Sequence, residues 1–169
     1  MRRSVGFSLI ELLIVVSVIL ILAVIAVPNL LRSKIAANEA SAVNTLRQIS
    51  TAELTYHLSF PSVGFAPDLV SLGGPAAGCV PSQAHACIID GQVSTGTKSG
   101  YQFFAAGFPG ASGANLTFVA SSAPLRFNST GVRLFCIATD DGVLRAKLGA
   151  PGVPPASDVA TCVAYPIIV

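Results

Sequence analysis

From Phe7 to Val27 the chain runs for 21 residues in which only Ser8, Glu11 and Ser17 interrupt Phe, Leu, Ile, Val and Ala. As a helix this stretch reaches about 31 Å, close to the thickness of one hydrocarbon core. Apolar residues occupy every side of that helix, so it belongs in lipid or in a fully buried bundle rather than on a protein surface. With 169 residues in total, the chain holds this segment and one domain, not two. The same run accounts for much of the 52% apolar and 11% charged composition. The remainder reads as an ordinary Gly/Ala/Ser-rich globular sequence.

A secretory signal would also start with basic residues, here Arg2 and Arg3. Its apolar core would be shorter, and a small-residue cleavage site would follow; Ala23, Ala26 and Pro28 form a poor one. A plain anchor leaves Glu11 unexplained. A carboxylate at this depth costs about 3 kcal/mol on insertion scales if it has no partner. No Lys or Arg lies one helical turn away inside the run, so the cation must come from another chain, a lipid headgroup or a new amino terminus.

Met1-Arg2-Arg3-Ser4-Val5-Gly6, followed by Phe7-Ser8-Leu9-Ile10-Glu11 and an unbroken apolar helix, resembles the class III leader and N-methylation motif of type IV prepilins and pseudopilins. The resemblance covers about the first thirty residues, Pro28 included. It implies a leader over 1–6, cleavage between Gly6 and Phe7 by a membrane prepilin peptidase, and methylation of the new Phe7 amine. It also implies that Glu11 attracts the Phe7 amine of a neighbouring subunit, which supplies the missing cation. The implied partners are further copies of the chain in a homo-oligomeric filament, an inner-membrane assembly platform and a cytoplasmic ATPase. One departure is Leu20, where many bacterial pilins carry a helix-loosening glycine.

The expected organisation follows: leader 1–6, apolar transmembrane and filament-core helix 7–27, amphipathic helix 28–60, then loop, sheet and C-terminal region over 61–169. Pro28 should kink or break the helix. Beyond it, Ile35, Ala42, Leu46, Ile49 and Tyr56 share one face, with Asn44, Arg47, Gln48 and Thr51 opposite, until Pro61 and Gly64 end the helix. Residues 62–99 read as a long loop with a short helical piece at Asp68–Leu72. Strands are expected at Gly100–Ala106, Asn115–Ser121, Arg133–Thr139 and Val143–Lys147, the last two joined tightly through Asp140-Asp141-Gly142. The fold class is therefore α+β: a long N-terminal helix, apolar then amphipathic, on a roughly four-stranded antiparallel sheet, which resembles pilins.

The four cysteines, Cys79, Cys87, Cys136 and Cys162, all follow the apolar run. An even count in an exported body points to two disulfides. Three pairings are open; Cys79–Cys87 with Cys136–Cys162 closes short loops. The latter bond would staple the tail to the sheet, as the C-terminal disulfide loop of many pilins does. Flanking charge leaves topology tied, Arg2 and Arg3 against Arg32 and Lys34, and the cysteines favour a body outside the cytoplasm. The expected location is the inner membrane before assembly and the cell surface after it.

No cofactor, metal or catalytic residue is expected. There is no CxxC pair for zinc, and no G-x-S-x-G, P-loop or H-E-x-x-H motif. His57 and His85 stand apart in sequence, and Asp140-Asp141 serves a turn. The sequons at Asn115 and Asn128 carry no glycan claim. From Phe7 onward eight basic residues balance eight acidic ones, which argues against nucleic-acid binding; Arg126, Arg133, Arg145 and Lys147 read as solvated strand residues. The leading function is a structural pilus subunit, not an enzyme. The alternatives are a type II secretion pseudopilin, for which Asp140-Asp141 keeps a calcium site open, and an anchored periplasmic binding module.

Overall fold

The structure, a computed structural model, describes residues 7–75, 77–111, 113–139 and 141–168. Gly6 and the leader, and also Asp140, lie outside the described residues. The chain divides into two units, one ending at Lys34 and one from Ile35 to Val169.

Helix α1, Leu9–Ser59, contributes to both. Pro28 lies inside it without ending it, so of the kink or break expected there the break does not occur. Proline removes one backbone donor, yet its fixed φ is helical, and the Leu-, Ala-, Arg- and Lys-containing stretch that follows it favours helix. In the first unit every side chain from Leu9 to Lys34 is exposed except Ala23, which is half-buried.

In the second unit Ala42, Leu46, Ile49, Ala52 and Tyr56 repeat every three or four residues and are buried against a five-stranded antiparallel sheet. The strands run in chain order: β1 Thr97–Lys98, β2 Tyr101–Pro109, β3 Asn115–Pro124, β4 Arg133–Ala138 and β5 Arg145–Leu148. The roughly four strands expected are thus five. The extra one, β1, is two residues long, too short for alternation to reveal. Its pairing with β2 is closed by Ser99 and Gly100, at φ +49° and +74°. Between β4 and β5 the chain takes a wider path than the tight Asp-Gly turn expected: Gly142 does adopt a positive φ, but ladder pairing resumes only at Arg145.

The sheet is buried on both faces. Tyr101, Phe103, Ala105, Phe118, Ala120, Phe135 and Ile137 join the α1 core, while Val119, Ala123, Leu134, Cys136 and Ala138 pack under the C-terminal segment with Ala156, Cys162 and Tyr165. That segment includes α4, Val159–Val163, capped by Asp158. The short helical piece expected at Asp68–Leu72 is α2, Leu69–Leu72, capped by Asp68, and the same region also holds α3, Gly91–Ser94, capped by Asp90. Close approach requires glycine at Gly64, whose φ is +85° and where a Cβ would overlap the Asn115 carbonyl, and at Gly74, where one would overlap Cys79 Sγ.

Candidate functional site

Glu11 stands in the first turn of α1, two residues after the helix begins. A carboxylate is favoured there by the unpaired N–H groups and by the helix dipole. Phe7, just before the helix, is 78% exposed. Between Phe7 and Leu31 the large apolar side chains are all uncovered, from 47% exposure at Val16 to 80% at Leu9. Three of its polar side chains bond within the helix: Ser17 Oγ donates to the Leu13 carbonyl at 2.8 Å, Asn29 Nδ2 to Ile25 at 3.2 Å, and Ser33 Oγ to Asn29 at 3.0 Å. A segment bound for a water-free surrounding must satisfy its polar groups in this way. This helix is long and apolar enough to cross a membrane. Each Leu, Ile or Val it buries against lipid or protein gains about 1.5–3 kcal/mol. What the geometry offers chemically is a surface for burial carrying a single carboxylate.

The cysteines of the second unit are bonded as Cys79–Cys87 and Cys136–Cys162. The first closes a loop that Tyr56 Oη also holds, donating to the Gln83 carbonyl at 2.7 Å. The second joins β4 to α4 beneath the tail.

Two further acidic residues, absent from the expected site, lie on the buried face of α1. Glu39 Oε1 accepts the N–H groups of Val132 at 3.0 Å and Arg133 at 3.1 Å, and Glu39 Oε2 accepts Arg133 Nε at 2.8 Å. Glu53 is fully buried, and its Oε2 accepts the Ala66 N–H at 2.8 Å. Among the described residues Glu53 Oε1 has no partner. Burial pushes the Glu53 carboxyl up to about 8; the Ala66 hydrogen bond opposes this and Asp68 adds to it.

The two histidines are not brought together around a reacting group. His57 stacks on Phe65 with ring centroids 4.8 Å apart, and His85 lies exposed in the Cys79–Cys87 loop. Asp141 pairs with Arg145, and the Val143 N–H holds its carboxyl below the ordinary range. Among the described residues no three His, Cys, Asp or Glu side chains gather as a metal site.

Residues 1–27 match the family described as the prokaryotic N-terminal methylation motif. The chain is similar to the type IV major pilin protein PilA of Myxococcus xanthus (strain DK1622), 37% identical over 73 residues, a match covering 39% of this chain and 33% of that relative. The chain thus spans about a third of the length of the curated relative it matches. No solved structure matches it.

Proposed function

We propose that this chain is a structural subunit of a type IV pilus, polymerising through the apolar part of α1. The carrying observation is that uncovered helical surface, Phe7–Leu31, beginning in a methylation motif with Glu11 at its head. Lipid covers it before assembly, and the same part of neighbouring copies covers it afterwards. The similarity to a major pilin supports this reading over a secretion pseudopilin or a non-polymerising binding module.

In this reading the leader 1–6 is cut between Gly6 and Phe7 by a prepilin peptidase, and the new Phe7 amine is methylated. Glu11 of an incoming subunit then meets that amine in a neighbour. Inside a low-dielectric bundle the attraction is strong, and an unmatched charge is costly. The subunit is a single-pass inner-membrane protein before assembly, drawn into the fibre by a membrane platform, and reaches the cell surface as pilus. Residues 7–27 supply the fibre core, and Cys79–Cys87 and Cys136–Cys162 brace the exported body.

Mass spectrometry of protein sheared from cells tests this directly. A mature chain beginning with methylated Phe7, recovered in fibres, is expected. A terminus near Pro28, or mature protein that never leaves the membrane in cells that make fibres, would overturn it.

A further inference from the structure

One end of the sheet carries positive charge and exposed leucine together. Strand register fixes the membership of this end: Lys98 pairs with Tyr101, Tyr101 with Pro124, and Arg133 with Leu148. Leu125 and Arg126 follow β3 directly. Leu125 is 53% exposed and Leu148 is 74% exposed, and Arg126 is exposed as well. Among the described residues neither Lys98 nor Arg126 is in an ion pair. Glu39, a carboxylate at this end, is already held by Arg133.

The same end is tied to the first turns of α1 within the second unit. Asn38 Nδ2 donates to the Thr130 carbonyl at 2.9 Å, and Ser41 Oγ bonds Ser99 Oγ at 3.0 Å. Asn38 follows Val27 by only eleven residues of the chain. Covalent connection alone therefore keeps this end within reach of the headgroup layer once the apolar segment is in a bilayer. Aliphatic side chains that enter the interface, flanked by cations that meet phosphate, are what an anionic lipid surface attracts.

We infer that Lys98, Leu125, Arg126 and Leu148 form a surface that docks the globular unit onto anionic phospholipid headgroups while the subunit is in the membrane. The inference rests on the membrane-inserted stage of the reading above. It adds a second, electrostatic contact to the apolar anchor, one that must be released before the subunit enters a fibre. Each cation contributes about fivefold to the ratio of docked to free head.

The chain has no tryptophan, so one introduced residue reports on one place. Leu125→Trp in the full chain, reconstituted in vesicles of equal phosphatidylcholine and phosphatidylglycerol, should show blue-shifted emission and quenching by lipids brominated near the headgroup. Leu116→Trp is the control: it is equally exposed but lies at the far end of β3, about 30 Å away. It should stay unquenched. The Leu125→Trp signal should fall in phosphatidylcholine alone, in half-molar salt, and on adding Lys98→Gln or Arg126→Gln. Quenching that ignores lipid charge, or that is equal at both positions, overturns the inference. So does a blue shift that appears only as protein density rises, which would assign the surface to a second copy. Carbonate extraction of the same vesicles separates the two readings: chain lost from the membrane defeats the proposed function, whereas chain retained without quenching defeats only the docking surface.

Discussion

Glu39 of α1 and Arg133 of β4 are joined at three points: the Arg133 N–H and Nε both donate to the carboxylate, and Arg133 Nη2 lies 2.7 Å from Glu39 Oε2. The helix residue thereby fixes where β4 starts. The guanidinium is 47% exposed while the carboxylate is 6% exposed, so the charge–charge part is screened and the backbone hydrogen bonds dominate. Glu39→Ala leaves two part-buried N–H groups without an acceptor and should cost about 1–2 kcal/mol. Glu39→Gln keeps an acceptor and should cost about half as much. Thermal unfolding of the full chain in detergent reads this; equal losses for the two variants would show that the charge, not the acceptor, matters.

Glu53 should make stability fall with rising pH. Its folded pKa of about 8 lies above the ordinary 4.5, so the native state holds the proton more tightly. The stabilisation is complete below pH 4.5 and is lost as pH rises through 8. The slope in that window approaches about 1.4 kcal/mol per pH unit. Glu53→Gln, neutral throughout, should flatten it. Denaturant midpoints measured from pH 5 to 8 decide, and unchanged slopes in the variant would assign the dependence elsewhere.

The two disulfides should differ in worth. Loops of 8 and 26 residues correspond to about 2.5 and about 3.5 kcal/mol of chain entropy. Cys136→Ser with Cys162→Ser should therefore destabilise the folded unit more than Cys79→Ser with Cys87→Ser, and should free the tail to proteolysis. A reversed order in midpoint shifts would show that the Tyr56–Gln83 loop depends on its bond more than loop length suggests.

Glu11→Leu should separate insertion from assembly. The segment becomes more apolar, so membrane insertion is kept, and processing persists because Gly6-Phe7 is unchanged. Fibre protein should drop by tenfold or more, on the order of one buried charge pair's cost. Glu11→Gln, which keeps shape and removes charge, should be no better than intermediate. Normal fibres from Glu11→Leu subunits alone would remove Glu11 from the assembly step.

What could be read in the sequence tracks what each element depends on. The apolar segment and its carboxylate were legible because lipid imposes one requirement along the whole run. The buried face of α1 was legible from spacing, yet Glu39 and Glu53 occupy that same spacing with Ala42, Leu46, Ile49 and Tyr56. Two acids on an otherwise apolar stripe are a signal that buried donors await them, although the donors, Val132, Arg133 and Ala66, could not be named in advance. The second unit's small elements were illegible for another reason. β1, α3 and α4 are two, four and five residues long and are held by Asp caps and neighbouring strands rather than by any periodic pattern.

The last residues hydrogen-bond along the outer side of β5: the Ala146 N–H donates to Pro166, Ile168 donates to Leu144, and Ile167 bridges Arg145. On the other side β2 outruns the two-residue β1, and there the Phe103 N–H donates to Gly96 and the Gly107 N–H to Ala66. An open strand is a template for indiscriminate pairing, a hazard for a chain proposed to assemble with its own copies. Where its own backbone already takes up these positions, the sheet leaves a neighbouring copy less to pair with. In the proposed filament, ordered growth is left to the helix.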